Sequence, residues 1–170
     1  MKKRILTLAL LIPFIMLFAT DVTIKNYSGL HLVVMDFQGS FDQMESAFEK
    51  IMQAASGQNI PLAGAPYAVY YNNPMDVPED QLKWAVGVPV PKETTAEAPL
   101  KIRSFDPFQA AFAVHTGPYA QIQSTYMDVF SFIMDNGYTV AYPAFERYLN
   151  NPAFVKPEEL KTEIILPVKK

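Results

Sequence analysis

Beyond residue 30 the apolar and polar positions run through one order of patterns twice. Residues 31–38 (HLVVMDFQ) and 109–116 (QAAFAVHT) are short apolar-rich runs that read as strands. Each is closed by a glycine turn, Gly39-Ser40 in the first case and Gly117-Pro118 in the second. Apolar residues then recur three and four apart, the period of a helix with one buried face. They are Met44, Phe48, Ile51, Met52 and Ala55, then Ile122, Tyr126, Val129, Phe130 and Ile133. Helix stops follow at Gly57 and at Asn136-Gly137. Two further strands are predicted after each helix, at 65–71 and 82–90, then at 144–149 and 160–168. Asn72-Asn73-Pro74 and Asn150-Asn151-Pro152 mark the turns between them.

The two series are copies. Residues 70–90 and 148–168 align without gaps at an offset of 78 residues. Tyr70 matches Tyr148, Asn72-Asn73-Pro74 matches Asn150-Asn151-Pro152, Leu82-Lys83 matches Leu160-Lys161, and Pro89-Val90 matches Pro167-Val168. Gly39 and Gly117 keep the same offset. The repeated unit is therefore β-α-β-β, in repeats of about 29–91 and 100–168. The charged, proline-bounded stretch 92–99 reads as a linker, with a short strand at 100–105. The expected fold is α+β: one mainly antiparallel sheet with two main helices, related by a pseudo-twofold axis. A cleft between the two halves is a natural small-molecule site.

The first twenty residues break the pattern. Lys2, Lys3 and Arg4 precede fifteen uncharged, almost wholly apolar residues, 5–19, and the first acid is Asp21. This is the layout of a secretory signal. Fifteen residues are short for a bilayer span of about twenty, and Phe18 makes a poor cleavage site. A cleaved signal and an uncleaved N-terminal anchor both fit, with residues 21–170 outside; an apolar core helix is the third reading. Removing those three basic residues leaves eleven basic against seventeen acidic ones, a balance of −6. So acidic a domain is a poor binder of nucleic acid. The chain has no cysteine, which excludes disulfides, thiolate metal sites and cysteine nucleophiles. Its two histidines, His31 and His115, do not correspond within the repeat and form no metal signature, so neither metal nor cofactor is expected.

Strand alternation sorts the candidate site residues. In 144–149, Glu146 and Tyr148 point to one side and Phe145 and Arg147 to the other. The repeat mates of Glu146 and Tyr148 are Ala68 and Tyr70. One face near the axis thus carries two tyrosines and a single acid. Burying a carboxylate unpaired is costly; a ligand cation would supply the partner, and aromatic rings would add cation–π attraction. Tyr119, whose mate is Phe41, is a core aromatic or adds a hydroxyl unique to the second half. His115, mate of Phe37, is a packing residue or a site residue. Trp84, mate of Thr162, is a stacking wall of the cleft or core. No nucleophile elbow, phosphate-binding loop or dinucleotide fingerprint is present.

Several ordered motifs resemble one known family. His115-Thr116-Gly117-Pro118-Tyr119, Glu146-Arg147-Tyr148 with Asn151-Pro152, and 157–168 resemble the signatures of GyrI-like small-molecule-binding domains; so do Tyr70-Tyr71 to Pro74 and 82–90 in the first half. The same domain is the effector-binding module of AraC-type and multidrug-sensing regulators. The resemblance runs from about residue 29 to the C-terminus. It implies a ligand pocket between the halves, with Glu146 as the central glutamate facing amphipathic, often cationic, aromatic compounds. Tyr148, Tyr70, Tyr119, Trp84 and His115 would surround it. Some relatives are hydrolases, and here that role would fall to Glu146 with Tyr119. SOUL proteins of the same fold bind haem, a third possibility. No DNA-binding module is expected ahead of the domain, and an export segment would keep it from cytoplasmic gyrase. The leading expectation is a non-enzymatic, exported or tethered binding domain whose protein partner is unspecified.

Overall fold

The computed structural model describes residues 20–170. The export or anchor segment expected over residues 1–20 lies outside them except for Thr20. The described chain runs β1 (Thr23–Tyr27), β2 (Leu30–Gln38), α1 (Met44–Gly57), β3 (Tyr67–Tyr70), β4 (Lys83–Pro89), β5 (Lys101–Phe105), β6 (Phe108–Thr116), α2 (Ile122–Asp135), β7 (Thr139–Val140), β8 (Ala144–Tyr148) and β9 (Lys161–Lys169). The expected strands and both helices are present within two or three residues at their ends. Single 3-10 turns precede both helices, at Phe41–Gln43 and Tyr119–Gln121.

Every strand pair is antiparallel, and the sheet order is β1-β6-β9-β8-β3-β4-β2-β5, with β7 against β9. The order is symmetric about its middle. Each strand of the first half has its copy 78 residues later at the mirrored position. At the centre β3 pairs with β8, and Ala68 sits directly opposite its own repeat mate Glu146. The pseudo-twofold axis therefore passes through that residue pair.

The repeat is one strand longer than the β-α-β-β reading. β1 is the copy of β5, so the strand at the end of the linker belongs to the second unit and has a partner at the start of the first. These two strands are exchanged: β1 pairs with β6 of the second half, and β5 with β2 of the first. The exchange bends the sheet. β1 and β2 stand six places apart in the sheet order, about 29 Å if flat, but only Ser28-Gly29 joins them, a link of at most about 11 Å. β5 and β6 are joined as tightly by Asp106-Pro107. The edges must curl toward each other. Inside the curl, Phe105 and Phe108 both pack on Phe145 from the central strand, at 5.0 and 5.4 Å, and Tyr27 stacks on Phe108.

Both helices cover the opposite face of the sheet. α1 buries Ala47, Ile51 and Ala55 against Val33, Trp84, Val86 and Val88. α2 buries Val129 and Ile133 against Ala111, Ala113, Ile164 and Leu166. The two cores meet at the axis, where Tyr70 packs against both.

The tightest point of the curl is Gly29. It has φ +96°, and a Cβ there would lie 2.5 Å from the Phe105 carbonyl oxygen. Gly29→Ala combines left-handed strain of about 1–3 kcal/mol with displacement of β5. The expected result is a loss of at least about 2 kcal/mol in urea unfolding; an unchanged midpoint would show that β1–β2 does not lean on β5.

Candidate functional site

On the helix side of the axis a single carboxylate is enclosed by phenol rings. Glu146 is only 6 % exposed. The Tyr126 hydroxyl donates to its Oε1 at 2.7 Å, and the Tyr148 hydroxyl to its Oε2 at 2.6 Å. Tyr70, on the neighbouring strand, feels the charge of Glu146. Phe48 of α1 and Tyr119 then pack edge-on against Tyr148, at 5.1 and 5.7 Å. Phe41 packs edge-on against Tyr70 at 5.2 Å, the symmetric counterpart of the Tyr119 contact. β3 and β8 supply the floor; the helices and the turns before them supply the walls.

The placement follows from the chain. Strand alternation puts Tyr70, Glu146 and Tyr148 on the helix face, where Ala68 adds no bulk. The helical period aims Phe48 and Tyr126, another repeat pair, inward from α1 and α2. Gly39 and Gly117, both at positive φ, turn the chain so that Phe41 and Tyr119 open the 3-10 turns above the strands.

The electrostatics are those of a lone buried charge. Among the described residues the ion pairs are Lys101 and Arg103 with Asp36, and Arg147 with Glu163; no Lys or Arg reaches Glu146. Burial, and then the field of Glu146, pushes the hydroxyls of Tyr70, Tyr126 and Tyr148 well above the ordinary tyrosine range. Burial and Glu146 raise Tyr119 as well. The tyrosines therefore stay protonated and can only donate to or screen the carboxylate.

Of the six residues singled out from the sequence, Glu146, Tyr148, Tyr70 and Tyr119 come together. Trp84 stands one ring behind them. It is fully buried, stacks on Phe37 at 4.7 Å, meets Phe41 edge-on and donates its indole N–H to the Gly39 carbonyl. It supports the site from the α1 core and does not line it. His115 is also buried and fully engaged. Its Nε2 faces the Pro118 carbonyl at 3.2 Å, an acceptor only, so that nitrogen carries the proton and donates. Nδ1 is left to accept from the Thr125 hydroxyl at 2.9 Å. His115 thus ties β6 to α2 and to the turn that presents Tyr119.

Tyr126 went unnoticed in the sequence, where it reads as one more apolar position on a helix. The signal was available: its repeat mate is Phe48. The buried polar residues His115, Thr125, Glu146 and Thr162 all lie in the second half, and their mates are Phe37, Ala47, Ala68 and Trp84. At these four buried positions the second copy is polar where the first is apolar. Two surface hollows, of about 310 and 530 Å³, lie elsewhere, one beside Met35 and Lys50 and one beside Leu149 and Glu159. In the Glu146 cluster the carboxylate is buried, and the rings of Tyr70, Tyr126, Tyr148 and Phe48 around it are half-buried.

Raised tyrosine pKa values set a pH signature. The folded values lie above the unfolded value of about 10, so their contribution to stability is complete below pH 10. It is lost as the pH rises beyond that, because the unfolded chain releases those protons first. The thermal midpoint should fall steeply above pH 10, with the phenolate absorbance of Tyr70, Tyr126 and Tyr148 appearing only on unfolding. Early ionisation of all nine tyrosines in the folded protein would contradict the burial of those three hydroxyls beside Glu146.

Comparison with known proteins agrees with this fold. A family model described as the GyrI-like small molecule binding domain matches residues 20–169. A DNA gyrase inhibitor from Citrobacter koseri is 32% identical over 136 residues, covering 75% of this chain and 82% of its own. Among solved structures, the C-terminal domain of EcmrR superposes with a TM-score of 0.79 at 18% identity, over 90% of this chain and 99% of that one. SAV2435, solved bound to tetraphenylphosphonium, superposes with a TM-score of 0.61 at 16% identity, over 88% and 94%. At such low identity the two structures attest the shared fold. The family match and the Citrobacter relative go further: this chain belongs to the GyrI-like small-molecule-binding domains.

Proposed function

We propose that this domain binds an aromatic, cationic small molecule between its two halves, with Glu146 as the counter-charge. One observation carries the reading: a carboxylate buried on the pseudo-twofold axis, with tyrosine hydroxyls as its hydrogen-bond donors and no basic partner among the described residues. Such a charge is costly to bury, and a bound cation offsets that cost. The faces of Tyr70, Tyr126, Tyr148 and Phe48 would hold the ligand's rings and add cation–π attraction of about 0.5–2 kcal/mol each. Tyr119 is 38 % exposed and the other rings are half-buried, so the ligand would meet the cluster from the Tyr119 side. The tetraphenylphosphonium held by SAV2435 belongs to the same chemical class.

We further propose that residues 5–19 export the domain or tether it to a membrane. The support is the Lys2-Lys3-Arg4 start followed by an uncharged, almost wholly apolar run.

Tetraphenylphosphonium is the probe for the site. At a hundred times its dissociation constant it should stabilise the protein by about 2.7 kcal/mol. Glu146→Gln, which keeps shape and acceptor, should weaken binding at least about tenfold, equivalent to about 1.4 kcal/mol. Unchanged affinity in that variant would refute the assignment. The tether has its own check: on expression of the full chain, the protein should be found in the membrane or external fraction, and recovery from the cytosolic supernatant would overturn it.

A further inference from the structure

The two helices differ on their outer faces, away from the site. Met127 and Met134 of α2 are 60 and 70 % exposed. They lie seven residues apart, two turns along one side of the helix, with the half-buried Phe130 between them. At the same positions α1 carries Glu49 and Ser56, both exposed. Between Glu49 and Ser56 α1 exposes one apolar side chain, Met52 at 47 %, so the α2 face is the more apolar of the two, with two exposed methionines. It is at the more apolar one that the N-terminal segment arrives: the Thr20 hydroxyl donates to Asp128 on α2, one residue from Met127. Val22 and Ile24 are already packed into the core beneath α2. Only Asp21 separates that core from Thr20, so the chain has no slack there.

We propose that this outer face of α2 is a membrane-contact surface, resting on a bilayer into which residues 5–19 insert. The inference rests on the tether reading above and adds the orientation of the domain to it. Fifteen residues span about 22 Å as a helix, less than the hydrocarbon thickness of about 30 Å. A short span thins the bilayer locally and draws its flanking residues into the interface. With Thr20 bonded to α2, the residues drawn in are those around Asp128, and Met127 and Met134 meet the lipid. Asp128 and Asp135 directly follow the two methionines and are exposed, as is Asp21 next to Thr20, which favours a zwitterionic surface over an anionic one.

The cysteine-free chain permits a direct test. Met127→Cys, Met134→Cys, Glu49→Cys and Ser56→Cys would each carry an environment-sensitive fluorophore on the full chain, reconstituted with phosphatidylcholine vesicles. Blue-shifted emission, quenched by a lipid-borne quencher, is expected at 127 and 134, with water-like emission at 49 and 56. If the chain floats with the vesicles and all four labels remain water-like, the tether stands and the orientation is wrong. If all four shift alike, α2 is not the contact face. If the chain does not float, the tether reading fails and this inference falls with it.

Discussion

The whole structure is arranged around one unpaired negative charge on an axis of internal symmetry. Where two copies of a residue face each other across such an axis, both cannot be carboxylates, because like charges at cross-strand distance repel strongly. The chain resolves this with Ala68 opposite Glu146. What remains is a carboxylate that no symmetric partner neutralises and that two phenol hydroxyls hold in place. The symmetric frame supplies the enclosure, and one departure from symmetry supplies the chemistry.

That departure is part of a wider division of labour. In the first half Phe37, Trp84 and Phe41 fill the space between α1 and the sheet with stacked and edge-on rings. In the second half the equivalent space holds His115, Thr162 and Tyr119. Its polar contacts position the helix and the turn that flank Glu146.

The fold was largely legible because it is written twice. A period of 78 residues turned weak strand and helix patterns into a repeated series, and each copy corroborated the other. β1 escaped because its five residues show no regular burial alternation. Its own copy would have revealed it: Ile24 matches Ile102, Lys25 matches Arg103 and Tyr27 matches Phe105. At the site, alternation found Glu146, Tyr148 and Tyr70, because neighbours on one strand face are fixed by the pleat. Tyr126 was hidden because helical periodicity scores it as apolar and ignores its hydroxyl. Trp84 could not be placed, since a ring on the correct face of a strand can be one layer too deep, and depth is set by what packs above it.

The exchanged strands bear on how the chain comes together in time. β1 is among the first elements synthesised, yet its partner β6 lies more than eighty residues further on. Closing so long a loop is slow compared with local pairing. Neither half is complete while it waits: a unit left alone would lend its first strand to a second copy and receive one in return. The monomer is in this sense a domain-swapped dimer whose two chains have been joined, and it reaches its native state late, after its last quarter has been made.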